Sequence, residues 1–139
     1  RNDHEDINNS GDFTVLLIKY NSTGSREWIE KLGKSAGENG VRLIVDSHDN
    51  IYVAGYYDEF DSDNDFESQK TVLAKYDSSG TREWTTALVS TLTDFTWDVT
   101  ADSIDNIYVT GFLENDFAQN IRWEEDILMM KFNSEGIKL

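Results

Sequence analysis

The ten residues Asp46–Gly55, D-S-H-D-N-I-Y-V-A-G, return at Asp102–Gly111 as D-S-I-D-N-I-Y-V-T-G, an interval of 56 residues. A second phrase keeps the same interval. L-I-K-Y-N-S-T-G-S-R-E-W at Leu17–Trp28 returns as L-A-K-Y-D-S-S-G-T-R-E-W at Leu73–Trp84, and again in part as M-K-F-N-S-E-G-I-K-L at Met130–Leu139. The chain is thus about two and a half copies of one unit, and a repeat of this length reads as a solenoid, an array or a propeller. The incomplete units at either end predict a segment of a longer polypeptide.

Outward from these phrases, the chain alternates short β-branched and aromatic runs with turn chemistry. Phe13–Tyr20 reads as a strand, Asn21–Gly24 as a tight turn, and Ser25–Leu32 as the returning strand. Gly33–Gly40 holds three glycines in eight residues and reads as a crossing loop. Val41–Val45 is a short apolar run, expected to be covered on both faces. Asp46–Asn50 is a turn and Ile51–Tyr57 the next strand, in which Gly55 signals a bulge or a close backbone approach. Thr71–Tyr76, Thr81–Leu88, Trp97–Ala101, Ile107–Leu113 and Asp126–Phe132 continue the series. Nothing sustains a period of 3.6, so the chain reads as all-β.

Four short antiparallel strands per 56 residues describe one blade of a β-propeller. On that reading residues 1–33 supply an entry loop and the outer two strands of one blade. Residues 34–89 form a complete blade, and residues 90–139 hold the inner three strands of the next. Trp28 and Trp84 are the expected wedges between blades. Tyr52, Tyr108, Val53 and Val109 are expected to fill the sheet interior, and Gly24 and Gly80 to supply positive φ in the turns.

The two phrases resemble the bacterial and archaeal β-propeller repeat called SBBP, with copies of the form Asp-x-x-Gly-Asn-x-Tyr-Val-x-Gly and Tyr-Asp-x-x-Gly-x-x-x-Trp. The matching residues are Asp46, Asn50, Tyr52 and Gly55, their copies Asp102, Asn106, Tyr108 and Gly111, and the Gly24, Trp28, Gly80, Trp84 set. This chain departs at Asp49 and Asp105, where the family more often has Gly. The resemblance implies a propeller in a large exported or cell-surface prokaryotic protein, usually without known activity. The spacing of Asp77, Gly80 and Trp84 is also similar to the tryptophan-docking repeat of quinoprotein propellers, one residue shorter between Asp and Gly; that similarity implies indole packing between blades and no quinone cofactor.

Composition narrows the partners. A formal charge of -15, with 27 acids against 12 scattered Lys and Arg, opposes both nucleic acid and anionic membrane surfaces. No apolar run reaches the length of a membrane span. Without Cys, disulfides and thiolate metal sites are excluded. Expected partners are other blades and a protein or carbohydrate ligand, and no cofactor is implied.

Three groups invite a functional reading. Asp61, Asp63 and Asp65 offer oxygens to calcium, but Phe66 and Val72 stand where an EF-hand loop needs Gly and Glu; a solvated loop is the plainer account. His48 lies beside Asp46, Ser47 and Asp49, yet Ile104 replaces it one unit later, and adjacency in sequence supplies no triad geometry. Recurrence of Asp46 and Asn50 as Asp102 and Asn106 fits turn capping better than a catalytic pair. Phe95, Trp97, Phe112 and Trp123 form a second set of aromatics without obvious repeat partners and are expected to be buried more than to form a binding patch. Asn8–Ser10 and Asn21–Thr23 match the glycosylation sequon. The function expected is that of a non-catalytic scaffold or interaction module. The alternatives are part of a propeller enzyme with its site at the channel mouth, or a calcium-stabilised adhesion module.

Overall fold

A computed structural model describes residues 15–32, 39–60, 66–88, 93–115 and 124–139. Among them are nine strands and no helix: β1 (Val15–Tyr20), β2 (Arg26–Leu32), β3 (Asn39–Val45), β4 (Ile51–Phe60), β5 (Phe66–Tyr76), β6 (Arg82–Ala87), β7 (Thr93–Ala101), β8 (Ile107–Asn115) and β9 (Glu124–Phe132). They pair in sequence order as antiparallel meanders of two strands (β1-β2), four (β3 to β6) and three (β7 to β9). A single parallel bridge, Gln69↔Thr93, joins the second meander to the third. No helix among the described residues is long and apolar enough to cross a membrane.

Alternation along β4 sends its side chains to two different neighbours. Tyr52 and Ala54 join Leu73, Val99, Ile107, Val109, Met130 and Phe132 in a core between the second and third sheets. Ile51 and Val53 join Leu17, Ala74 and Tyr76 on the other face, with Trp28 packed against them. The central sheet is therefore the filling between two others, and neither cluster could be buried by one sheet alone. Tyr52, Val53 and Val109 are buried as expected of interior residues, whereas Tyr108 is only partly so.

The strands differ from the sequence expectation in extent and in burial, and β3 begins at Asn39, inside the expected crossing loop Gly33–Gly40. The hairpin of β4 and β5 runs further out, pairing Asp58↔Gln69 and Glu59↔Ser68, so that Asp58 and Glu59 belong to a ladder and not to a loop. Continuing an existing backbone ladder outweighs the poor strand preference of Asp and Glu. β7 likewise begins at Thr93. Nor is β3 covered on both faces as expected: Leu43 and Val45 are 52% and 54% exposed.

Gly55 and Gly111 mark irregularities in the strand opposite. Register slips between Asn39 and Arg42 against β4, and between Thr96 and Asp98 against β8. Each glycine thus faces two residues where one is the norm. These are β-bulges at the same phase of both units.

Candidate functional site

Five turns share one construction. In Asn21–Ser25, Asp46–Asn50, Asp77–Thr81, Asp102–Asn106 and Asn133–Ile137, the first residue's N–H donates to the fifth residue's carbonyl. The fourth residue's N–H donates back to the first carbonyl. The fourth position is left-handed every time: Gly24 (φ 80), Asp49 (φ 63), Gly80 (φ 88), Asp105 (φ 60) and Gly136 (φ 78). A turn of this kind joins two antiparallel strands through a left-handed corner, where Gly is unstrained and Asp tolerated. This explains the departure at Asp49 and Asp105 from the pattern the chain resembles.

The first residue of each turn holds it closed. Asp46 Oδ1 accepts from the N–H groups of His48 and Asn50, and Oδ2 from Asn50 Nδ2 (2.9 Å) and the Tyr52 hydroxyl (3.2 Å). Asp102 repeats every bond with Ile104, Asn106 and Tyr108. Burial alone would raise the Asp46 carboxyl, but the bonds from Asn50, His48 and Tyr52 outweigh it and hold it below its ordinary value. The Asn106 side chain, with help from the Asn106 and Ile104 backbone and Tyr108, lowers Asp102 to about 2 against the opposing effect of burial. Burial, and then the Asp46 carboxylate, push the Tyr52 phenol up.

The corner residue reaches the neighbouring unit, and in two ways. At Gly80 the Trp28 indole lies against the corner, so that a Cβ there would sit 2.8 Å from a ring carbon. At Gly136 the Trp84 ring lies the same way, at 3.0 Å. Trp28 Nε1 donates to the Ser78 carbonyl at 3.3 Å, whereas the buried Trp84 Nε1 has no hydrogen-bond partner among the described residues. Gly24 has nothing within 4 Å of such a Cβ. Tyr52 completes the second contact, its ring edge-on to Trp84 at 6.0 Å between centroids.

Where the corner is Asp105, the carboxylate makes the contact. Its Oδ1 accepts from the Ser47 N–H (3.1 Å), and its Oδ2 from the Ser47 hydroxyl (2.7 Å) and His48 Nδ1 (2.8 Å). The Ser47 backbone and side chain, and then His48, hold the Asp105 carboxyl below its usual range. Asp46, His48 and Asp105 present ligand atoms within 4.8 Å of one another, but their chemistry does not fit a metal. The oxygens already accept hydrogen bonds from N–H and O–H donors, whose positive ends point where a cation would sit. Nor is this a nucleophilic triad: Ser47 Oγ lies 3.1 Å from the same Nδ1 that meets Asp105, while a relay needs both ring nitrogens. The cluster is a clasp between two turns. Asp46 and Asn50 are legible in the sequence as capping residues, whereas the reach of Asp105 is not; its signal is an Asp present twice at a corner that suits Gly.

The calcium candidates Asp61, Asp63 and Asp65 lie outside the described residues, as do Trp123 and the Asn8–Ser10 sequon. Asn21, in the other sequon, accepts from the Thr23 and Ser25 N–H groups. Trp97 is a correction to the expected burial: it is 52% exposed, at the bulge in β7, and its ring lies 5.4 Å from that of Phe112. The bulge turns the residue out of the ladder, which periodicity alone does not foresee.

Among known proteins, no family model matches the chain. A protein of Acanthamoeba polyphaga mimivirus described as an uncharacterized WD repeat-containing protein is 25% identical over 126 residues, which span 78% of this chain and 9% of that protein's length. With the sheets of two, four and three strands, this similarity fits a propeller-type repeat segment.

Proposed function

We propose that the chain is part of a larger β-propeller of four-stranded blades with a 56-residue repeat, and that it serves as a non-catalytic scaffold or interaction module. The observation that carries this reading is the pair of indole contacts: Trp28 on Gly80 and Trp84 on Gly136 point the same way along the chain, so each sheet leans on its successor. Neighbouring sheets that pack through partly buried indoles in a constant direction are what a ring of blades requires. The hydrogen-bonded clasp at Asp105 adds a second link between units and leaves its polar groups spent on structure. The SBBP resemblance of the two phrases, and the mimivirus relative, support the propeller architecture; placement in an exported or surface protein rests on that resemblance alone. Trp97, exposed beside the half-buried Phe112, is the surface through which a protein or carbohydrate ligand would be held.

The test is amide hydrogen exchange on Trp84→Ala. If sheets act as coupled blades, exchange rises both in β5 and β6 and in β8 and β9. Loosening confined to β5 and β6 would remove the basis for the proposal.

A further inference from the structure

Between the first sheet and β3 lies an open groove of about 470 Å³, lined by Leu17, Tyr20, Trp28, Leu43, Val45 and Asp49 among others. Each of these has a counterpart 56 residues later, and there the environment is different. Leu43 is 52% exposed, while its counterpart Val99 is 4% exposed in the core between the second and third sheets. Val45 is 54% exposed, while Ala101 packs against that same core. What covers the later positions is the β3–β4 hairpin, through Ile44, Tyr52 and Ala54. Trp84 has Tyr52 against its ring, and Asp105 has the Ser47–His48 turn on its carboxylate. Among the described residues Trp28 has no such ring and Asp49 no such donors. β5 pairs with β4 along one edge and β6 along the other, but its counterpart β1 pairs only with β2 among the described residues.

From this we infer that the groove, the open edge of β1 and Asp49 together form a receiving site for one occupant: the inner strand–turn–strand hairpin of the repeat that precedes this one in the same polypeptide. The inference rests on the propeller reading. It also specifies the register. The incoming strand adds to β1 antiparallel, with its Tyr opposite Lys19, as Tyr52 stands opposite Lys75 with the ammonium 5.8 Å from the ring. Its turn presents a Ser N–H and hydroxyl to Asp49. The pattern the site selects is Asp-Ser-x-Asp-Asn-Ile-Tyr-Val. The direction is fixed by the two indole contacts, which both run from a unit to its successor; the vacant place belongs to the unit on the N-terminal side of β1.

A peptide copying residues 39–60, cross-linked across its open end so that the hairpin is preformed, is the probe. Added to the full chain, it is expected to slow amide exchange along β1 and shift the Trp28 indole resonance. Asp49→Ala in the chain is expected to weaken binding about fivefold, the loss of one or two hydrogen bonds. Tyr52→Ala in the peptide is expected to weaken it about tenfold or more through lost burial. Unchanged β1 exchange on adding the peptide, binding indifferent to both substitutions, or a dimer in sedimentation equilibrium whose β1 is already protected without peptide would each overturn the inference. The proximity of Trp84 to Gly136, read by nuclear Overhauser effect in the same sample, separates the two levels. If that contact is present and the peptide does not bind, this inference alone fails. If the contact is missing, the propeller reading fails first.

Discussion

A single backbone position, the left-handed corner, carries different duties in different turns, and substitutions can tell them apart. Gly24, Gly80 and Gly136 share the same φ region, so alanine at any of them meets the same backbone penalty of about 1–2 kcal/mol. Only at Gly80 and Gly136 would the added methyl also meet an indole, at 2.8 and 3.0 Å. Chemical denaturation should therefore rank Gly24→Ala as mildest, with the other two worse by roughly 1–3 kcal/mol, a cost typical of overpacking. Equal losses at all three would mean that the rings move aside freely. The aspartates at the other corners form a second contrast. Asp105→Gly removes three acceptor contacts to Ser47 and His48 and should lower the thermal midpoint. Asp49→Gly relieves the corner and breaks no hydrogen bond among the described residues, so it should leave the midpoint unchanged or raise it slightly.

At the scale of the element, the hairpins of β3–β4 and β7–β8 are closed by the same four bonds to one carboxylate. Tyr52→Phe leaves Asp46 Oδ2 with the Asn50 amide and should cost about 1 kcal/mol, the worth of one hydrogen bond. Tyr108→Phe should cost less, because Tyr108 is only partly buried and water can replace the lost donor. Urea midpoints of the two variants decide this, and the reverse order would be evidence that burial does not govern the bond. Much of this level was legible in the sequence. The phrase D-S-x-D-N-I-Y-V names the capping Asp, the corner, the Asn that bonds back and the Tyr that reaches across, because turn chemistry is local and written in consecutive residues. The outward extension of β4 and β5 was not legible, since Asp58 and Glu59 have poor strand preference and are carried by the ladder already in place. Nor was the exposure of Trp97, which depends on a bulge opposite Gly111. The Asp105 clasp stayed hidden for another reason: its partners lie 57 and 58 residues away in a different turn.

Over the whole molecule, two electrostatic effects of opposite sign divide the pH scale. A formal charge of -15 makes the folded chain repel itself, and protonation of exposed carboxylates on acidification relieves that strain. The turn aspartates act the other way. Asp46, Asp77, Asp102 and Asp105 are all held below the ordinary carboxylate range by the hydrogen bonds they accept, Asp102 at about 2. A carboxyl depressed by folding stabilises the native state fully above its unfolded value of about 3.9. That contribution is lost as pH falls through the folded value. The thermal midpoint should accordingly hold steady or rise slightly from pH 7 to about 5, then fall between about 4 and 2. Asp102→Asn keeps the side-chain oxygen but removes the titration, so its midpoint should start lower at neutral pH and fall less steeply below 4. Scans at several ionic strengths separate the two effects: salt screens the general repulsion and should flatten the neutral limb, while the acid limb, set by hydrogen bonds at a few atoms, should persist. An acid limb that disappears in salt would assign the pH dependence to net charge and take it away from the turns.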